Sequence, residues 1–310
     1  MRVFITGGTG LIGRHLIPAL LKAGHIPVVL SRGLQGARRR LEVNGVLPPG
    51  LELVEGDPTR PGAWQSQVDG CDAIINLAGE NIGEGRWTES RKRLILESRT
   101  LTAKHLTEAI TSANRRPPVL ISASAVGYYG DTGDRKVDEQ GANGDDFPAL
   151  VCLAWEAALK GVVSLGVRVV TLRIGLVMDP SGGPLGAVLP LFKLGLGGRV
   201  GTGQQGYPWV HPRDVVGLML HCLGDSRASG VVNAVSPGGV DNATFTRVLS
   251  KVLGRPAFFA VPSVAIRVVL GEMGSLALTG QHVEPAAALS LGYPFQFTDL
   301  EMALRDLLPR

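Results

Sequence analysis

Short apolar runs alternate with longer amphipathic stretches along the first two-thirds of the chain. Val3 to Thr6, Ile26 to Leu30, Leu51 to Val54, Ala73 to Leu77, Val119 to Ser122 and Val167 to Leu172 are short and continuous rather than alternating in polarity. Strands covered on both faces read this way. Leu11 to Ala23 carries Leu16, Leu20 and Leu21 on one helical face, and Arg86 to Ala113 and Ala149 to Ser164 also read as helices. Strands alternating with helices predict right-handed βαβ units and a parallel sheet. Past residue 178 the pattern changes. Segments 180–186 and 195–208 are rich in Gly and Pro and predict loops; Val215 to Leu223 predicts a helix and Gly230 to Val235 a strand. Residues 242–253, 263–272 and 298–308 predict further helices. The expected class is α/β: a doubly wound parallel sheet over 1–237, with insertions on its substrate side from about 178, and a smaller, mostly helical lobe over 238–310.

The first turn carries the most specific chemistry. Gly7, Gly10 and Gly13 form G-x-x-G-x-x-G between the first strand and the first helix. The first glycine permits the tight turn, the second lets the backbone approach a pyrophosphate, and the third allows close packing of helix on strand. Thr9 and Gly10, with Leu11, Ile12 and Gly13 at the helix start, offer free N–H groups and the positive end of the helix dipole. Some twenty residues on, where an NAD site carries an acid for the ribose hydroxyls, the chain has Ser31 and Arg32. A guanidinium and a hydroxyl suit a 2′-phosphate, which points to NADP, with Arg38 or Arg39 placed to assist. Asp57, after the third strand, could accept from the adenine amino group or simply form a turn. Asn76-Leu77-Ala78-Gly79 ends the fourth strand, where small residues would let the backbone pass close to the cofactor.

Composition narrows the class. The 310 residues are 45% hydrophobic with a net charge of +4, enough to bury a large core and without a basic run that would imply nucleic acid. Arg38, Arg39 and Arg40 read as a solvated helix face. Cys71, Cys152 and Cys222 lie far apart, outside any metal-ligand spacing, so no metal is expected. Their odd number suits a reducing cytoplasm. No apolar run approaches the roughly twenty residues of a membrane span. MRVFITGG runs directly into the motif, leaving no room for a signal peptide. The expectation is a cytoplasmic protein, monomer or homodimer, that binds a small molecule and neither nucleic acid nor membrane.

GGTGLIG, NLAG, Ser122-Ala-Ser124 followed by Tyr128-Tyr129-Gly130, and PWVHPRD at 208–214 resemble the extended short-chain dehydrogenase/reductases, in the NAD-dependent epimerase/dehydratase branch. NLAGENI, Arg86-Trp87, Ser98-Arg99, SASAVGYYG and GQHVEPAAALSLGYPFQFTDLEMALRDLL resemble a subgroup labelled sugar-nucleotide epimerase-like or cell-division-inhibitor-like, which has its own C-terminal domain. The resemblance implies a Rossmann fold, a catalytic Ser at Ser124, and Val177 beside the nicotinamide. It also implies a Tyr-x-x-x-Lys acid/base pair, which this chain lacks. Aligned through Glu156, the Lys position falls on Cys152 and the Tyr position on Pro148. Tyr128 or Tyr129 is the remaining phenol near the cofactor, and Arg99 on the long helix could face the cofactor or bias such a group. His211 and Asp214 match a segment that shapes the substrate side, where a lone His is more often structural. Two functions stay open: an NADP(H)-dependent oxidoreductase or epimerase with non-standard acid/base groups, acting on an unknown carbonyl or hydroxyl compound such as a nucleotide sugar, or a non-catalytic NADP(H) sensor.

Overall fold

In the computed structural model, which describes residues 1–309, the apolar runs become parallel strands. β1 (Arg2–Thr6), β2 (Ile26–Ser31), β3 (Glu52–Glu55), β4 (Ala73–Asn76), β5 (Val119–Ala125), β6 (Arg168–Ile174) and β7 (Gly230–Ala234) form one sheet in the order β7-β6-β5-β4-β1-β2-β3, every neighbouring pair parallel. The strand order reverses between β1 and β4. All seven C-terminal ends lie on one edge, and the crevice at that reversal is where such sheets bind ligands. β1 and β4 are buried on both faces apart from Arg2, as their unbroken apolar character requires.

Helices α1 (Leu11–Lys22), α2 (Leu34–Leu41), α3 (Glu89–Ser112), α4 (Phe147–Ala157) and α6 (Pro212–Gly224) flank the sheet. α5 (Gly183–Lys193) falls partly where the Gly and Pro of 180–186 predict a loop. Its first turn holds Pro184, a position where the missing N–H costs nothing, so a helix starts inside a segment of loop-like composition. The predicted helix over 149–164 stops at Ala157, followed by a short turn of helix, Lys160–Val163.

The chain after β7 forms α7 (Asn242–Leu253), α8 (Ser263–Leu270) and α9 (Leu300–Leu307), with shorter turns between. It is stitched to the sheet domain by strand pairs: Phe259–Val261 with Gly198–Val200, and His282–Val283 with Lys136–Val137. Asp214 is the main polar clasp. Its Oδ1 accepts from Gln296 N–H (2.8 Å) and Tyr293 hydroxyl (3.1 Å), and its Oδ2 from Phe297 N–H (3.0 Å). Burial pushes this carboxyl upward, opposed by those donors. His211 caps α6, its Nδ1 accepting from Arg213 N–H; it stacks on Phe297 and lies 3.3 Å from Asp306 on α9. Both residues therefore dock the C-terminal segment. No helix among the described residues is long and apolar enough to cross a membrane.

Candidate functional site

The glycine turn is shaped by what each missing Cβ would strike. Gly7 has φ +71°, and a side chain there would lie 2.5 Å from the Leu77 carbonyl carbon; at Gly13 it would collide with the backbone of Gly8. At Gly10 it would meet only the Gly7 carbonyl oxygen, at 3.1 Å. Two glycines are thus demanded by the fold itself, while Gly10 is exposed and faces open space. The first helical hydrogen bond of α1 runs from Arg14 N–H to the Gly10 carbonyl, leaving the amides of residues 11–13 ahead of it. Those amides and the open face in front of Gly10 fit a pyrophosphate.

Other strand ends converge on this turn. Leu77 N–H donates to the Thr6 carbonyl, holding Leu77, Ala78 and Gly79 against the first turn. Beneath them a buried chain links three strands: Thr6 hydroxyl to Asn76 Oδ1 (2.6 Å), and Asn76 Nδ2 to Ser122 (3.1 Å). Ser31 ends β2 with its hydroxyl 3.4 Å from Gly33 N–H, and the Arg32 side chain is 73% exposed, 3.9 Å from Glu80. Arg38 and Arg39 are also exposed, Arg38 paired with Glu42 at 4.0 Å. Asp57 Oδ1 accepts from Thr59 N–H (2.9 Å) and hydroxyl (2.7 Å), a turn-forming role that leaves Oδ2 available. Burial raises its carboxyl, but the Thr59 bonds, with Arg32 and Arg60 nearby, bring it below the ordinary value.

Arg99 lies under Gly79. Its guanidinium donates to the Ile95 carbonyl (2.8 Å) and the Glu80 carbonyl (3.0 Å) and sits 5.0 Å from the Trp155 ring. It braces the loop after β4 and faces the side of α4 that carries Cys152. Val177 is buried in a short strand pairing with Val210, and the neighbouring Gly183 packs against Leu11 of α1. This brings the loop after β6 beside the turn. His15 Nε2 meets Asp179 at 2.6 Å and Arg14 donates to Ser181 at 3.1 Å, tying that loop to α1. The Asp179-Pro-Ser turn was the sequence signal for this clamp, and it is too common to have singled out.

At the end of β5, the buried Ser124 hydroxyl donates to Glu156 Oε1 (2.7 Å). Glu156 is gripped by Arg173 of β6 through Nε (3.0 Å) and Nη2 (2.9 Å). Arg173 also donates to the Tyr129 hydroxyl (3.1 Å), which in turn donates to Asn233 Oδ1 (2.7 Å). Tyr129 is buried, and burial pushes its phenol upward. A buried hydroxyl bonded on both sides acts as a strut between β6 and β7, which leaves Tyr128 the more accessible of the two phenols. Tyr128 is half-buried and engaged through its ring, with the Arg173 guanidinium 3.3 Å over the centroid. Cys152, at the lysine position, is a buried thiol pushed up by burial to about 11. Pro148, at the tyrosine position, sits in the first turn of α4 and packs against Gly127. Arg173 is the group missed from sequence, and Glu156 was only an alignment anchor with no role given to it; a lone Arg at the end of an apolar strand was the one visible signal.

A glycine turn at the switch point, a basic residue after β2 and a serine closing β5 define a dinucleotide-binding fold of the extended short-chain dehydrogenase/reductase type. Residues 3–234 match the NAD dependent epimerase/dehydratase family and residues 261–307 a domain of unknown function. The chain belongs to that family. It is 36% identical over 311 residues to the chloroplastic SDR39U1 homolog of Arabidopsis thaliana, covering 99% of this chain and 87% of that protein. It is 34% identical to YfhF of Bacillus subtilis, covering 99% and 98%. The crystal structure of human epimerase family protein SDR39U1 with NADPH superposes with a TM-score of 0.84 at 34% identity, covering 99% of each chain. UDP-glucuronic acid 4-epimerase from Bacillus cereus, 18% identical with a TM-score of 0.78 over 99% and 98%, shares the fold.

Proposed function

We propose that this protein binds NADPH along Gly7–Gly13, Ser31, Arg32, Asp57, Leu77–Gly79 and Val177, and uses it to reduce or epimerise a small carbonyl or hydroxyl compound. The observation that carries the reading is the turn: backbone amides ahead of α1, open space in front of Gly10 and the Arg32 guanidinium exposed at the end of β2. The human relative's structure with NADPH supports the same cofactor. The nicotinamide, when bound, supplies or accepts hydride. For a hydroxyl substrate Ser124 then orients the oxygen: its proton is committed to Glu156, so its lone pairs accept from the substrate O–H. Arg173 grips Glu156 and so fixes the Ser124 rotamer, while its guanidinium stacks on Tyr128, the phenol this reading assigns as proton donor. Positioned groups of this kind typically contribute about 10²–10⁴-fold.

The test is NADPH oxidation over a panel of ketones, aldehydes and nucleotide sugars, with Ser124→Ala and Tyr128→Phe each expected to lower kcat. Full activity in both variants would refute the assignment. A sensor reading draws on Cys152 and Pro148 standing where the acid/base pair belongs. Tight NADPH binding that raises the Tm, without turnover of any compound tried, would favour it.

A further inference from the structure

Of the nineteen large apolar side chains exposed among the described residues, nine lie in 191–196 and 258–276. Leu194 is 72% exposed, Phe258 91%, Val264 68% and Val268 69%. The two segments are adjacent: Phe259–Val261 pairs with Gly198–Val200, and Gly195 lies against Pro256. α8 continues directly from that strand and buries none of its residues. Exposed apolar surface gathered in one place marks an interaction site.

Charge decides the partner. Between Asp179 and Asp214, and again between Asp241 and Glu272, the chain has no Asp or Glu. Within those stretches Lys193, Arg199, Arg255 and Arg267 are exposed beside the apolar tips. Glu272, which lines a cavity with Arg267, is paired with Lys92, and Glu301 is paired with Lys251 and Arg305. A second copy docking through this face would set cations against cations, since a two-fold interface meets itself. An anionic bilayer surface offers complementary charge and an apolar interior within reach of the Phe and Leu tips.

We propose that this face, built on residues 191–199 and 255–270, is a peripheral docking surface for anionic membranes. It lies on the bilayer without spanning it. Arg267 lines a cavity of about 330 Å³ that shares Ser275 and Thr279 with a cleft of about 520 Å³ beside Tyr129.

The experiment is co-sedimentation of the full chain with vesicles of phosphatidylcholine alone or mixed with phosphatidylglycerol. Binding is expected only to the anionic vesicles and should weaken as salt screens the charges. The double variant Leu194→Asp/Phe258→Asp, altering side chains that touch solvent, should keep its Tm and bind about tenfold or more weakly. Arg255→Glu with Arg267→Glu should weaken binding as well. Absence of binding to anionic vesicles at low salt would overturn the proposal, as would undiminished binding by the Asp variant at unchanged Tm. So would a dimer in sedimentation velocity that the Asp variant abolishes while the parent chain ignores vesicles.

Discussion

The Glu156 carboxylate accepts from Ser124 on β5 and from two nitrogens of Arg173 on β6, with Arg173 4% and Glu156 16% exposed. Removing one member of such a pair leaves the other charge buried and unmatched. Glu156→Gln should therefore cost about 3 kcal/mol of stability in urea titration, and more than Ser124→Ala, which removes only a neutral donor. At the other end of the crevice the decisive side chain is in water. Arg32→Ala should erase most of the preference for NADPH over NADH, because a charge-assisted contact is worth roughly 1.5–3 kcal/mol. Fluorescence titration with both cofactors checks this, and equal affinities in the unaltered protein would contradict the reading. The place of Arg32 after β2 was legible because its spacing from the glycines is local. Glu156 and Arg173 were not, because their pairing crosses from a helix to a strand.

At the scale of elements, the β1 turn and α1 separate two demands that the motif merges. Gly13 is needed by the fold, since any Cβ strikes Gly8, while Gly10 is needed only if a phosphate group comes close. Gly10→Val should keep the unaltered protein's circular dichroism and melting behaviour yet lose NADPH binding; Gly13→Val should fail to fold or melt far lower. A Gly10→Val variant that binds normally would place the nucleotide elsewhere. The strands and α1 were visible in sequence because burial on both faces leaves an unbroken apolar run and burial on one side leaves a 3.6-residue stripe. α5 was obscured because glycine and proline at a helix start look the same as in a loop.

The whole molecule depends on the clasp between α6 and the C-terminal segment. Burial drives the His211 imidazole down to about 4, with Asp306 opposing. A histidine whose folded pKa is depressed takes its proton more readily when unfolded. Its contribution is complete above about 6.5 and is lost as pH falls from there toward 4, on the order of 3 kcal/mol at most. Asp214 acts oppositely, its raised carboxyl favouring the fold at lower pH. The His211 share is read by difference: the slope of stability between pH 6.5 and 4 should be shallower in His211→Asn than in the parent chain. An unchanged slope would mean that this imidazole does not sense the docking.

What the sequence determined by itself is local: where strands and helices run, where the chain turns on glycine, and which basic residue follows β2. These depend on consecutive residues and short spacings, which sterics and burial translate directly into structure. What the tertiary structure decided is partnership. Tyr128 and Tyr129 are neighbours of one type, and only the arrival of Asn233, 104 residues away, makes one of them a strut. His211 and Asp214 gain their docking role only when the segment at 293–297 closes on them. α8 has the apolar stripe of a core helix, yet packing leaves that stripe in solvent. Such outcomes depend on which distant groups compete for the same buried donor or the same apolar area, and no local pattern carries that information.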